Sequence, residues 1–489
     1  MNGNVFPVFF AVLFSFLDGS DMLLNFDVGG PFMKVFPMLV AVAVMLTSAA
    51  EATTPQYDPD LLPEPRPLGR DLATGDADLT AVKPNPVVGG GEVRLRRALA
   101  RALLYSPQLS TFSWEIRARE AEALQAGLLP NPEFGVELEN FSGSGVYRGT
   151  DQTETTAALS QLIQLGGKRK KSRIAATLQA RLAGWDFETA RLDVLTSTTK
   201  AFVAVLAAQM MVDQADELAA LTEKFFQTVV DRVEAGESSP VERTRAQVTL
   251  SASHVAQSQA RLALDSARME LAALWGDDQA HFDRAVGSLG EVTSIPPRSR
   301  LTAFLEQNPD LARWETEEAL SEAQLSLERA NAIPDLTLAA GIRNLQESDD
   351  NAFVAGFFIP IPIFDRNQGG IAAARAERSR TQYAGMASRN RVSADLATAY
   401  RNLSAAFAAA EALQKEILPA ASLAFESIDI GFRAGKFSFL EVLDAQRTLF
   451  EVKGQYIEAL AAYHQAKADV ERLIGAPLHS VTTSAREEN

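Results

Sequence analysis

The chain has 489 residues, 47% of them hydrophobic and 22% charged, with a formal net charge of -16 at pH 7. That suits a large folded protein of two or three ordinary domains, and the acidic excess argues against a nucleic-acid partner, since phosphate backbones are bound by clustered Lys and Arg. There is no cysteine, which removes disulfides, thiolate nucleophiles, cysteine metal sites and lipidation at an N-terminal cysteine.

Two apolar stretches come first. Val5 to Leu17 is too short to span a bilayer, where roughly 20 residues are needed, and no Lys or Arg precedes it. The second opens with Met33 and Lys34, runs from Val35 to Leu46, and ends Ser48-Ala49-Ala50-Glu51-Ala52. A basic start, a short apolar core and an Ala-x-Ala end are the parts of a secretory signal. Residues 1–32 therefore read as a mis-assigned start and 33–52 as a signal peptide cleaved after Ala52. The exported chain is expected to contain no transmembrane helix.

Residues 53–91 hold Pro55, Pro59, Pro63, Pro65, Pro67, Pro84 and Pro86, then Gly89-Gly90-Gly91. This reads as an extended arm. Beyond it, Ala/Leu/Glu/Arg/Gln-rich runs favour helix and come twice. Ala235-Gly236 is echoed by Ala434-Gly435, and Glu242, Ala246, Gln247 and Leu250 by Glu441, Ala445, Gln446 and Leu449, all displaced by one common interval. Ser106-Pro107-Gln108-Leu109 is answered by Asn308-Pro309-Asp310-Leu311. The pattern is an internal duplication, with repeats at 92–276 and 301–475, a connecting segment at 277–300 and a tail at 476–489.

Each repeat reads helix, strand, strand, very long helix, turn, helix. The first helix covers about 95–128 and ends at Leu129-Pro130-Asn131-Pro132. Phe134, Val136 and Leu138 then alternate with Glu133, Gly135, Glu137 and Glu139, a strand with one apolar and one wet face. After the Ser142 to Gly145 loop, Ala157, Leu159 and Ile163 alternate with Ser160 and Gln164. The second repeat offers Leu336, Leu338, Ala340 and Ile342, then Phe353, Ala355, Phe357, Ile359 and Ile361. From Lys168 no strong breaker occurs before Gly236, which predicts a helix about 100 Å long. Its counterpart, from about Ile371 to Arg433, carries Pro419 and should kink there. Helices of this length must pack side by side along their length.

Four strands of about ten residues match the length of membrane β-strands but cannot close a barrel, and open edges in lipid cost several kcal/mol per unpaired group. If they sit in a membrane, several chains must pool them; a soluble sheet with one covered face is the alternative. Gly166-Gly167-Lys168 is not a phosphate loop, because Leu162 and Arg169 stand where Gly and Ser/Thr are required. Lys168, Arg169, Lys170, Lys171 and Arg173 suit either acidic lipid head groups or a solvated helix start. His254, His281, His464 and His479 are scattered and suggest no metal site. Ser142-Gly143-Ser144-Gly145 lacks the elbow pattern of a nucleophile, and Met210-Met211 reads as core filling. No catalytic constellation and no cofactor motif is found.

The turn sequence from Phe432 through Ala434-Gly435-Lys436-Phe437-Ser438-Phe439-Leu440-Glu441-Val442-Leu443-Asp444-Ala445-Gln446 to Arg447 resembles the second helical-hairpin turn of the TolC-like outer-membrane efflux family. Ser160-Gln161-Leu162-Ile163-Gln164-Leu165-Gly166-Gly167-Lys168-Arg169 resembles that family's second strand running into its long helix. The likeness covers nearly all of the exported chain and is strongest to the cobalt–zinc–cadmium resistance branch. It implies a mainly α fold with a small β part: a homotrimeric α-barrel continuing into a twelve-stranded outer-membrane β-barrel, four strands per chain. It further implies a passive exit duct, not an enzyme, whose tip meets a periplasmic adaptor bound to an inner-membrane RND-type pump. Many relatives carry a lipid-bearing N-terminal cysteine, absent here, so anchoring would rest on the barrel, with the Pro-rich arm as a second candidate.

On that reading the two turns, Gly236-Glu237-Ser238-Ser239 and Gly435-Lys436-Phe437-Ser438, are adaptor-contact tips, with Gly in the left-handed cap position and Ser238, Ser239 or Ser438 capping the next helix. Glu441 and Asp444, three apart on one helical face, match acidic pore-facing positions of the family and would form a periplasmic gate whose crowded carboxylates raise one another's pKa. Divalent metal cations are the first expected cargo, with drugs or a type I secreted polypeptide as alternatives. The rival reading of the whole chain is a non-conducting exported coiled-coil scaffold.

Overall fold

The computed structural model describes residues 91–478. The expected start, signal peptide and Pro-rich arm, and all but the first residues of the tail, lie outside them. Elements run in the order β1 (Glu92–Arg94), α1 (Leu95–Tyr105), α2 (Pro107–Ala126), β2 (Glu133–Glu139), β3 (Glu154–Ile163), α3 (Lys168–Glu234) and α4 (Pro240–Ala273). They continue with β4 (Arg284–Val286), α5 (Pro309–Asn331), β5 (Leu336–Leu345), β6 (Asp350–Phe358), α6 (Gln368–Ala412), α7 (Leu418–Arg433) and α8 (Phe439–Ile474). The series helix, two strands, long helix, helix therefore occurs twice.

The expected single helix over 95–128 is two helices. Pro107 disfavours the α conformation for the residue before it; Ser106 accordingly sits at φ -59°, ψ 121°, and Pro107 starts α2 at the position where its missing N–H costs nothing. The second repeat copies the device: Asn308 stands at φ -69°, ψ 128° before Pro309, and its side chain accepts from the Asp310 amide. Asn308 also donates to the Leu473 carbonyl at 2.7 Å from a fully buried position, tying the end of α8 to the start of α5.

The four longer strands form one antiparallel sheet in the order β2-β3-β5-β6. Register places Phe134, Leu159, Ala340 and Ala355 in one row and Val136, Ala157, Ile342 and Phe353 in the next. Directly paired residues share a face, so the apolar positions of all four strands coincide on one surface. The other surface carries Glu133, Glu137, Glu139, Ser160, Thr156 and Glu154, with Arg343 bridging Glu139 at 3.0 Å and Glu154 at 2.7 Å. Strands β2 and β6 each leave one edge unpaired among the described residues. Strand β6 stops at Phe358, short of Ile359 and Ile361, because Pro360 and Pro362 lack the N–H a ladder needs.

Helix α3 has 67 residues, about 100 Å. The helices pack as a wall. On the sheet side the order is α2, α3, α5, α6; on the far side it is α4, α3, α8, then α6 continued by α7. By length and composition alone, α3 could cross a membrane. Yet Phe202, Val203, Val205 and Leu206 of α3 are buried against Val93, Trp275, Phe282, Ala285 and Leu460, so this apolarity is used inside the wall. That cluster also contains a feature absent from the sequence reading. The connecting segment supplies β4, which pairs in parallel with β1, Val93 opposite Ala285. Three-residue strands are too short to show a period.

The expected bend at Pro419 takes the form of a π turn at Leu413–Ile417. The buried stripe of α6 steps in sevens through Leu396, Leu403 and Ala410, and resumes in sevens at Leu418, Phe425 and Phe432. The one longer step, across the π turn, keeps both halves facing α8. At the base of the sheet, Lys168 pairs with Asp335 at 2.7 Å, which also accepts from the Leu165 amide. Lys168 thus serves the junction rather than standing free.

Candidate gate and docking tip

Both long hairpins reverse at the end of the wall remote from the sheet, by the same construction. Gly236 (φ +77°) and Gly435 (φ +70°) take the left-handed conformation that β-carbon-bearing residues avoid. The Glu237 amide then donates to the Arg232 carbonyl and the Gly236 amide to Val233. The Lys436 and Gly435 amides do the same toward Gly431 and Phe432. These paired bonds satisfy carbonyls that a helix end leaves free.

Ser239, not Ser238, caps α4, accepting from the Val241 amide. Ser438 caps α8 more fully. Its hydroxyl accepts from the Glu441 amide, while a Glu441 carboxylate oxygen accepts from the Ser438 amide at 2.7 Å and from its hydroxyl at 2.9 Å. This reciprocal arrangement is a capping box. Glu441 thus serves as the capping carboxylate of the turn. Its pKa is lowered, by the Ser438 backbone amide first and the hydroxyl second. Asp444, one turn on, is exposed and makes no ion pair or side-chain hydrogen bond among the described residues.

The two tips are locked together by aromatic packing that sequence reasoning missed. Phe225 and Val229 of α3, Ala246 of α4, Phe432 of α7 and Phe439 and Val442 of α8 form one buried cluster. Phe225 meets Phe425 edge-on at 6.5 Å, and Phe432 lies 6.2 Å from Phe439, separations at which aromatic pairs attract. The Arg232 guanidinium stacks over Phe432 at 5.1 Å. A β-carbon on Gly431 would occupy the place of the Phe437 ring. The Phe425–Phe432 spacing of seven was the available signal. Gly236, Glu237, Ser239, Gly435, Lys436, Phe437, Ser438, Leu440 and Asp444 are outward at the tip, with Ser238 half-buried.

The cap makes a testable claim. Replacing Ser438 with Ala should cost about 1 kcal/mol locally and raise the rate of tryptic cleavage after Lys436 about fivefold. A carboxyl whose folded pKa is depressed contributes fully above its unfolded value and loses that contribution as pH falls through the folded one. Cleavage by an acid-tolerant protease should therefore rise as pH drops below the usual carboxylate range, and Glu441→Gln should flatten that rise. An unchanged tip in both variants would show that the box does not hold the turn.

The chain matches the outer membrane efflux protein family over residues 98–277 and 301–476. It is 34% identical over 404 residues to the cobalt-zinc-cadmium resistance protein CzcC of Cupriavidus metallidurans, covering 83% of this chain and 95% of that one. It is 26% identical to the nickel-cobalt-cadmium resistance protein NccC of Alcaligenes xylosoxydans, covering 62% and 66%. Identity to the pyoverdine export outer membrane protein OpmQ of Pseudomonas aeruginosa is 24%, over 83% and 90%. Among solved structures, CusC superposes with a TM-score of 0.68 at 16% identity, covering 83% of this chain and 99% of CusC. The open-state MtrE channel of Neisseria gonorrhoeae gives 0.65 at 19%, covering 87% and 98%. Long antiparallel hairpins, a four-stranded sheet and the duplication are thus shared with outer-membrane channels, and the chain belongs to the outer membrane efflux protein family.

Proposed function

We propose that three copies of this chain form a passive exit duct across the outer membrane, carrying divalent metal cations delivered by a periplasmic adaptor and an inner-membrane RND-type pump. The observation that carries this is the sheet: one face apolar, the other carrying all its acids, both edges open among the described residues, at the end of a wall about 100 Å long. In lipid such edges must be paired, and three copies supply twelve strands, with the apolar face toward lipid and the acid-rich face toward the lumen.

Cation cargo is supported by two observations. CzcC and NccC are metal-resistance proteins by name. The polar face bears Glu133, Glu137, Glu139, Glu154 and Asp350 against the single cation Arg343, and an acid-lined passage favours cations. A second reading, export of an organic molecule, is favoured by the likeness to OpmQ. A strain lacking this protein should become sensitive to cobalt, zinc or cadmium salts and keep its drug tolerance, with the plasmid-borne gene restoring growth. Drug sensitivity without metal sensitivity would favour the organic cargo, and neither would favour a non-conducting scaffold.

The tips, Gly236 to Ser239 and Gly435 to Ser438, are the surfaces offered to the adaptor, and Asp444 is the gate residue. Three Asp444 carboxylates around the axis would attract multivalent cations at the narrow end, while Glu441 maintains the turn beside them. In planar bilayers, Asp444→Ala should weaken block by multivalent cations and lower cation selectivity without loss of assembly. Unchanged block and selectivity would leave Asp444 as a solvated acid.

A further inference from the structure

Between α5 and α6, close to the sheet, lies a groove lined by arginines. Arg329 of α5 and Arg375 and Arg378 of α6 border a space of about 360 Å³, completed by Leu325, Ser379 and Gln382. Water's share of the liquid is about 30 Å³, so the groove has room for a phosphate group and part of any ester that carries it. Arg329 stands in the last turn of α5, just before β5. Arg375 and Arg378 lie about 10 and 15 Å along α6 from its start at Gln368.

The cations here outnumber the acids that pair with them. Arg378 meets Glu322 at 2.9 Å, whereas neither Arg329 nor Arg375 forms an ion pair or a side-chain hydrogen bond among the described residues. Lys171 of α3 stands close enough to feel Arg329: its pKa is lowered, by burial first and by Arg329 second. The acids Glu315 and Glu318 line a second groove further from the sheet, which Arg378 and Gln382 share. Charge along this seam therefore runs from basic near the sheet to acidic below it. The free carbonyls of a helix C-terminus account for Arg329, but not for Arg375 inside α6. In a chain of net charge -16, unpaired cations gathered around one groove do not follow from composition.

We infer that this groove binds a phosphate group, gripped by Arg329 and Arg375, with Arg378 and Lys171 adding charge. Guanidinium forks bond to phosphate oxygens in pairs, which makes arginine suited to this anion. The groove also gives Lys171 a use: of the basic run from Lys168 to Arg173, Lys168 is committed to Asp335. Two sources can supply the phosphate at this level. One is the head group of an anionic phospholipid, because the sheet above is the proposed membrane part and basic pockets between helices bind such head groups. The other is free inorganic phosphate. The site lies far from the tips and takes an anion, so it is distinct from the cation path proposed above.

Two measurements on the full-length, membrane-extracted protein test this. In detergent, inorganic phosphate should raise the thermal midpoint above that in chloride at equal ionic strength. Each of Arg329→Gln and Arg375→Gln should raise the phosphate concentration for half of that effect about tenfold, as expected for loss of one charge-assisted bond. In nanodiscs of phosphatidylcholine mixed with phosphatidylglycerol, native mass spectrometry should find phosphatidylglycerol retained on the wild type and severalfold less on the double Gln variant. Arg380→Gln, which removes an exposed arginine paired with Glu377, should match the wild type in both. Arginine-dependent lipid retention without a phosphate effect assigns the groove to a head group; the opposite result assigns it to free phosphate. A double variant that matches the wild type in both measurements overturns the site and leaves solvated arginines. Should the Gln pair fail to fold, Arg329→Lys with Arg375→Lys decides: it keeps the charge but loses the fork, so binding weakened severalfold supports the site and unchanged binding overturns it. Neither readout depends on metal transport, so the groove and the cation duct can fail separately.

Discussion

Strands β2 and β6 each leave a row of backbone N–H and C=O groups unpaired among the described residues, and the rest of the architecture answers that constraint. In water such edges invite association with another chain; in lipid each unpaired group costs several kcal/mol. Four strands cannot curl enough to pair their own edges, so the chain is incomplete as a membrane element. Its apolar surface, from Phe134 across Leu159 and Ala340 to Ala355, is continuous over all four strands. A sheet of this kind, wet on one side and apolar on the other, has its natural place in the wall of a larger barrel.

The helical wall extends the same logic by different means. A helix in the interior of the wall needs a neighbour on each of two faces, which is why α3 buries residues along most of its length. The π turn at Leu413–Ile417 belongs to this design. One extra residue rephases the helix so that Phe425 and Phe432 continue the stripe begun by Leu396 and Leu403. At the remote end, the tips are held by an aromatic cluster and a capping box rather than by a continuation of the wall, which leaves short polar turns free to meet a partner.

Much of this was legible in the sequence, for identifiable reasons. Period-two alternation placed the strands and their faces, because direct pairing preserves the face of every residue. The absence of breakers between Lys168 and Gly236 predicted the long helix, and the two glycines marked the turns. What escaped depended on partners distant in sequence or on patterns left unread. The β1–β4 pair joins three-residue strands almost 200 residues apart. Ser106-Pro107 was noted as part of a repeat, but its steric effect on the preceding residue was not used to divide the helix. Ser438 and Glu441 stand at the spacing of a capping box, a role for Glu441 that its shared face with Asp444 does not announce. Of the Phe225 cluster, the sequence offers only the Phe425–Phe432 spacing of seven; the rest depends on the packing of both hairpins.

The account stands or falls on how the sheet edges are satisfied in the membrane. Amide hydrogen exchange, measured on protein in lipid nanodiscs, reads this directly for the backbone of Glu133–Glu139 and Asp350–Phe358. The account predicts that the edge amides of β2 and β6 exchange as slowly as those of the central strands β3 and β5, because a neighbouring copy pairs them. Fast exchange confined to β2 and β6, with β3 and β5 protected, would mean that the edges stay open and that the chain does not form a closed barrel.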